Sequence, residues 1–452
     1  MKNDMTVGSA RRTIALFALP IMIGNLLQQL YNTVDGIVVG NYVSEAALAA
    51  VGSCGTLAFV FLAVSIGMSA GCGIYIAQLF GAKRTDELKS AVSTSLILLV
   101  GLGLVLAIFG AVCARWLLRG LMNVTDAAIL DDATVYFAIY SIGLLFQFAY
   151  NAVAQILRSI GDSRATLYFL AVAAVANLFL DLLFVVVFRW GVAGAAIATT
   201  LAQMGSVAVS FVYMFKKYPM FRMSRKEFVF DRKKCGIILA LAVPATVQQC
   251  VVSFGHVFMQ RLVNSFGEVT MAAYTVGSRI ENYIFVPIQG FHVGMSTFAG
   301  QNIGAGRIDR VQKGWRQIQG LAFITTAVFS ALVWGFAGPI SGLFGVAGET
   351  MSQAIQYCRY QSIFFVIFSA YMVSNGTLQG AGDVKYTGFA TLGSLAVRVL
   401  AAYGLEAMLH IGYTICWLTV PLGWGVGLVL SFARYFSGVW KKKAVVTAAT
   451  EA

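Results

Sequence analysis

Three acidic residues, Asp35, Asp181 and Glu281, fall well inside long apolar stretches of the 452-residue chain, which holds nineteen acids in all. Asn177 stands one helical turn before Asp181 and on the same face. Thr199 and Thr200 lie in the following apolar stretch. Two carboxylates, an amide and one or two hydroxyls form a set that can share a proton or offer oxygens to a desolvated sodium ion. Burial disfavours the charged carboxylate, and two neighbouring carboxylates disfavour double ionisation, so either pressure would let Asp35 and Asp181 take up a proton. An acid at such depth is costly unless paired, wetted or neutralised, which makes function the default reading over mutual structural satisfaction.

The depth is set by the elements that carry these groups. Hydrophobic residues make up 59% of the chain and charged residues 11%, where a soluble domain has roughly 25% charged. With a mean hydropathy of +0.78, most of the surface must face lipid. A spanning helix needs about 20 apolar residues. The sequence predicts an all-α integral membrane protein with twelve spans, at 13–41, 46–80, 91–115, 132–157, 164–188, 191–215, 236–264, 270–302, 314–338, 353–380, 387–409 and 411–436. Asp35, Asp181, Thr199 and Thr200 then share one level, roughly 10 Å below the outer boundary at 1.5 Å per residue.

The chain repeats itself. Gln78-x-x-Gly81-Ala-x-Arg84-x-Asp86 returns as Gln301-x-x-Gly304-Ala-x-Arg307-x-Asp309, Ala18-Leu19-Pro20 as Ala242-Val243-Pro244, and Leu157-x-x-x-Gly161-Asp162-x-x-x-Thr166 as Leu378-x-x-x-Gly382-Asp383-x-x-x-Thr387. Separated motifs that keep their order and spacing mark two copies of one unit, and membrane transporters are often built this way. Six spans per copy return the chain to its starting side, so the copies share one orientation about a pseudo-twofold axis along the membrane normal. The expected organisation is an N-lobe over 1–215, a basic linker over 216–235, a C-lobe over 236–436 and a tail over 437–452.

Lys and Arg gather on cytoplasmic loops. The connection over 216–234 holds Lys216, Lys217, Arg222, Arg225, Lys226, Arg232, Lys233 and Lys234, and both chain ends carry basic residues of their own, so both termini are expected in the cytoplasm. The net charge of +13 raises nucleic acid as a partner, but charges on short loops beside a bilayer are explained by orientation and anionic lipid. The basic start followed by an apolar run has no small-residue cleavage site and matches the start of the second copy, so it reads as a retained helix. Seven scattered cysteines show no metal-ligand spacing and read as packing residues. With no P-loop, metal-binding His pair or Gly-x-Ser-x-Gly elbow, no enzyme and no resident cofactor are expected, and energy must come from an ion gradient or not at all.

Pro20, with Gly24 one turn on, marks a bend in span 1 that is either a static kink or a hinge. Gln28, Gln147, Asn151, Gln248 and Gln289 are uncharged polar groups within spans, candidates for a wet cavity or for helix bridging. Glu281 stands between a cavity role and pairing with another span. His256 and His292 lack partners at ligand spacing. The small residues Gly191, Gly194, Ala195, Ala196 and Ala198 would let another helix approach Thr199 closely.

Pro20, Val34-Asp35-Gly36-x-x-x-Gly40, Gln78 to Gly81, Gly161-Asp162, Asn177-x-x-x-Asp181, Gly191-x-x-Gly194-Ala-Ala-x-Ala-Thr199, Gln301-Asn302-x-Gly304-Ala and Gly382-Asp383 together resemble the multidrug and toxic compound extrusion (MATE) family, over about residues 12 to 436. The resemblance implies twelve helices in two six-helix lobes around a central cleft. It also implies export of bulky, often cationic, amphipathic compounds in exchange for protons or sodium. Its DinF-like branch places the coupling network at positions matching Asp35, Asn177, Asp181 and Thr199, with helix 1 bending at the match of Pro20; these four would also be the ligands of a sodium ion. The NorM-like branch adds acids on helices 7 and 10, which this chain lacks: its counterpart of Asp35 is near Met259, and span 10 has no acid before Asp383. The ion site is therefore expected in the first lobe. A rival from the same architecture, a flippase for lipid-linked oligosaccharides, would need several cavity cations for pyrophosphate, and the spans offer only Arg279, Arg359 and Arg398. A passive channel or scaffold would leave the paired acids unexplained. The expected partners are drug-like small molecules and membrane lipid, the expected location is a bacterial plasma membrane, and a monomer suffices because the repeat supplies a pseudo-dimer.

Overall fold

In the computed structural model the described residues are 4–42, 45–120, 122, 126–224 and 226–446; the side chains of 31–42, 45–53, 56 and 128 lie outside them. The sequence readings at the Asp35 side chain and at Arg225 thus fall outside what is described. Twelve long helices follow in order among the described residues: α1 (Ala10–Tyr42), α2 (Glu45–Gly81), α3 (Thr85–Gly120), α4 (Ala127–Ser159), α5 (Ser163–Asp181), α6 (Gly191–Lys217), α7 (Arg232–Asn264), α8 (Glu268–Gly304), α9 (Ile308–Gly342), α10 (Gly348–Gly380), α11 (Val384–Leu409) and α12 (Thr414–Phe436). Eleven contain a window long and apolar enough to cross a membrane. The exception, α8, has Arg279, Glu281, Asn282, Gln289 and His292 along its middle.

The repeat is visible in helix lengths. Helices α1 and α7 both have 33 residues, α2 and α8 both 37, and α4 and α10 both 33. The repeated motifs prove to be corners. Gly161 and Gly382, with φ of 89° and 92°, end α4 and α10 in the left-handed conformation that costs glycine little. The backbone N–H groups of Asp162 and Asp383 return to the carbonyls of Leu157 and Leu378, at 2.9 and 3.0 Å. Each aspartate opens one helix and is held by a cation from the last turn of the helix after it, α6 or α12: Lys217 Nζ lies 2.9 Å from Asp162 Oδ2, and Arg434 Nε 2.6 Å from Asp383 Oδ2.

The two compact units are not the two copies of the repeat. One comprises Ile23–Gln249, the other Met1–Met22 with Cys250–Ala452. The boundaries therefore fall inside α1 and α7, just after Pro20 and Pro244, and not at the 216–235 connection. Glycine pairs account for the exchange. A Cβ at Gly67 of α2 would stand 2.3 Å from Thr246 Cα, and one at Gly71 2.4 Å from Ala242 Cα, so the start of α7 lies backbone to backbone on α2. In the other unit, a Cβ at Gly290 of α8 would meet Met22 Cγ at 2.6 Å, and one at Gly294 would meet Ile14 Cγ2 at 3.1 Å. Both pairs have the four-residue spacing that lets membrane helices approach closely.

The segment before α1 is tied to the same unit as the start of that helix. Gln301 Oε1 accepts from Met5 N at 2.9 Å, Arg307 Nη1 donates to Thr6 O at 2.8 Å, and Arg310 donates to Gly8 O and Val7 O, each at 2.8 Å. Met5 is buried beneath them. Hydrogen bonds from a charged group contribute about 1.5–3 kcal/mol each. Arg310→Ala should therefore loosen this strap without unfolding the unit, and cleavage by trypsin after Arg11 and Arg12 should speed up severalfold. An unchanged cleavage rate would show that the strap is held by Gln301 and Arg307 alone.

Candidate functional site

The polar cluster is built where α5 and α6 meet, within the 23–249 unit. Asn177, Asp181 and Thr199 are all buried, at 2%, 1% and 8% exposure. With its amide nitrogen facing α5's last residue, Asn177 donates to Asp181 Oδ2 at 2.6 Å, while its oxygen accepts from Thr199 Oγ1 at 3.3 Å and Thr199 N at 3.1 Å. The Thr199 hydroxyl also lies 3.1 Å from Ala195 O, so its single proton is shared between two acceptors. Deeper along the same pair of helices, Ser206 Oγ donates to Phe169 O at 3.1 Å. The predicted one-turn spacing of Asn177 and Asp181 thus becomes a hydrogen bond, and α6 supplies the hydroxyl.

Asp181 is the last regular residue of α5. From Leu182 to Val187 the chain widens into a π-helical turn, an arrangement that recurs at functional sites because it re-aims the side chains around it. Phe184 from this turn stacks on Trp190, with centroids 5.0 Å apart, and Trp190 N donates to Phe184 O at 2.9 Å. A Cβ at Gly194 would lie 3.1 Å from that same carbonyl, which explains the small residues opening α6. The wider turn was not signalled by sequence, since Leu182–Val187 reads as ordinary apolar helix.

Other candidates scatter. Asp35, the second expected carboxylate, lies outside the described residues. Thr200 does not join the cluster: successive helical residues point about 100° apart, and its hydroxyl reaches Ile139 O on α4 at 3.4 Å, so hydroxyl donation falls to Thr199 alone. Asn151 Nδ2 donates to Ser65 Oγ at 2.9 Å, bridging α4 and α2. Gln147, Gln248 and Gln289 are half-buried, whereas Gln28 is exposed. Pro20 is buried inside α1, which continues across it, and a Cβ at Gly24 would meet only Leu170 and Leu167 at 3.5 and 3.8 Å. Gly24 is thus not required by close packing.

Glu281 has a partner that the sequence did not reveal. The Tyr357 hydroxyl on α10 donates to Glu281 Oε2, and Arg398 of α11 acts on the same carboxyl electrostatically. The repeat offset of 221 that relates Asp162 to Asp383 places Arg398 at the position of Asn177 and Ala402 at that of Asp181. In the second copy a cation and a methyl group replace the amide and carboxylate, and α11 continues without a π turn. Among the described residues no three His, Cys, Asp or Glu gather as metal ligands, and the seven cysteines are unpaired.

The corner residue Asp162 offers a measurable pH dependence outside the spans. Burial pushes its carboxyl up, but hydrogen bonds from Tyr218 and Lys217, the Lys217 charge and a bond from Tyr213 outweigh it and hold the group below its ordinary value. A depressed folded-state value gives stability that is complete above the unfolded value, about pH 4, and is lost as the pH falls through the folded one. Thermal unfolding of the solubilised protein should weaken below about pH 4, and Asp162→Asn should be less stable at neutral pH and lack that part of the acid limb. An identical acid limb in the variant would assign it to other carboxylates.

Two like six-helix copies spanning a membrane, with a buried carboxylate, amide and hydroxyl set in one of them, define the class: an integral membrane transporter and not an enzyme. The MatE family model matches residues 20–183 and 244–403, one stretch in each copy, and the chain belongs to that family. It is 30% identical to the probable multidrug resistance protein YoeA of Bacillus subtilis, over 97% of this chain and 96% of that protein. It is 28% identical to the probable multidrug resistance protein YpnP of the same organism, over 98% and 99%. A solved outward-facing multidrug resistance MATE family transporter of the MOP superfamily superposes with a TM-score of 0.91 at 24% identity, covering 98% of this chain and 99% of that one. The fold expected from the sequence, all-α with twelve helices, is the fold of those structures.

Proposed function

We propose that this protein exports amphipathic, often cationic compounds in exchange for protons or sodium ions. In this reading Asp35 and Asp181 carry the coupling ion, with Asn177 and Thr199 as its polar partners, as in the DinF-like branch. The observation that carries the proposal is the buried Asn177–Asp181–Thr199 hydrogen-bonded set beside a π turn, present in one copy of the repeat and replaced in the other. Relatives named for multidrug resistance support the substrate class. The protein would act as a monomer in a bacterial plasma membrane with both termini in the cytoplasm. Ion uptake from outside would favour the state that releases the drug, and ion release to the cytoplasm would reset it. Such a cycle requires different ion affinities in the two states.

Export of a lipid-linked sugar is less well supported. Of the arginines available to hold a pyrophosphate, Arg359 lies over the Trp334 ring at 5.7 Å, and the charge of Arg398 falls within electrostatic reach of the Glu281 carboxyl. Efflux of a fluorescent cation from proteoliposomes, under an isolated pH or sodium gradient, tests the proposal. Concentrative movement under one gradient is expected. No movement under either, together with transfer of a lipid-linked sugar, would overturn it.

A further inference from the structure

The connection between α6 and α7 is more than a tether. It leaves α6 at Lys217 and enters α7 at Arg232, both ends of membrane-crossing helices, so its residues lie at the level of the bilayer surface. It is also a built structure. A single 3-10 turn, Pro219–Phe221, buries Phe221 completely. Arg222 Nε donates to Phe215 O at 2.8 Å, and Ser224 N donates to Glu227 Oε2 at 2.7 Å. Further on, Ser93 Oγ of α3 donates to Val229 O at 2.9 Å, and Asp231 N donates to Thr94 Oγ1 at 3.1 Å. The backbone is therefore pinned to the 23–249 unit, with Phe221 turned inward and the side chains of Arg222, Lys226, Glu227, Phe228, Val229 and Phe230 exposed.

Those side chains have an unusual composition for an exposed connection. Phe228, Val229 and Phe230 are 45%, 52% and 41% exposed, three consecutive large apolar groups. Phe215, Met223, Ser224 and Phe228 line an open recess of about 290 Å³. Around them stand Arg222, Lys226, Arg232 and Lys233, all exposed, against the acids Glu227 and Asp231. Glu227 is itself engaged by Lys89 at 3.4 Å, and Asp231 by Lys234 at 3.4 Å. What remains outward is an uncompensated positive rim around an apolar centre.

We infer that this connection is a docking surface for anionic phospholipid of the leaflet it faces. The cationic rim holds the headgroup phosphates, while Phe228 and Phe230 enter the acyl-chain boundary. Interfacial segments bind by the sum of buried apolar area and attraction to anionic lipid, and a basic side chain near a charged bilayer surface contributes about a fivefold affinity increment. Charge complementarity selects anionic over zwitterionic lipid, and the pinned backbone removes the ordering cost that a flexible loop would incur.

Full-length protein, delipidated and titrated with phosphatidylglycerol or phosphatidylcholine, tests this by native mass spectrometry. Wild type should retain phosphatidylglycerol preferentially, and the double variant Lys226→Gln, Arg232→Gln should lose that preference by about fivefold per charge. These side chains are exposed, so the variant should fold; a second readout does not depend on it. The Phe228→Trp variant should gain tryptophan emission that phospholipid brominated on its acyl chains quenches. Equal retention of the two lipids by wild type, an unaltered preference in the double variant, or unquenched added emission in Phe228→Trp would each overturn the inference.

Discussion

Asp181→Asn is expected to reduce gradient-driven export in proteoliposomes to that of protein-free liposomes, while the protein still inserts and purifies as a single species. The substitution is nearly isosteric and keeps a hydrogen-bonding partner for Asn177, so the α5–α6 seam should hold. What it removes is the only group of the described cluster able to gain or lose charge. An exporter driven by an ion needs that ion to discriminate between its two states, and a full switch from 1:99 to 99:1 takes about 10⁴-fold discrimination. An amide that can neither bind a proton nor neutralise sodium supplies none of it. Asp35→Asn should behave alike. Thr199→Val should impair transport while Thr200→Val does not, because Thr200 is bonded to α4. Undiminished concentrative efflux by Asp181→Asn under an isolated pH or sodium gradient would sink the assignment.

Gly71→Leu should be the most damaging substitution outside the polar cluster. A Cβ at that position meets the Ala242 backbone nitrogen and Cα, each at 2.4 Å, and backbone cannot rotate aside as a side chain can. Overpacking costs about 1–3 kcal/mol where side chains yield, so the loss here should exceed that range, and little folded protein should be recovered. Gly205→Ala is the control: nothing lies within 4 Å of its Cβ, and alanine in a helix interior is favoured over glycine by roughly 0.5–1 kcal/mol. Measured melting temperatures of the two purified variants check the contrast. A Gly71→Leu protein as stable as wild type would mean that α7 does not lie on α2.

Much of this molecule could be read directly from its residues. Composition and the length of apolar runs dictate helices, because an unpaired backbone group cannot sit in hydrocarbon. The recurrence of Gly161-Asp162 as Gly382-Asp383 located two corners that the structure builds in the same way. Asn177 and Asp181 could be paired from spacing alone, because a single regular helix fixes their geometry. Thr200 could not be separated from Thr199 without knowing which neighbour each faces. Tyr357 was invisible as the partner of Glu281, because their meeting depends on the approach of α10 to α8. Aligning the two copies residue by residue would have flagged Arg398 at the place of Asn177.

The exchanged half-helices bear on how such a chain is made. During synthesis, six spans enter the bilayer before the start of α7 emerges, and until then Gly67 and Gly71 have no backbone to lie against. The first half of the chain therefore cannot finish folding when its own sixth helix is complete; it waits for a piece of the second half. Severing the chain in the middle should leave two fragments that are each incomplete alone and become native only when produced together.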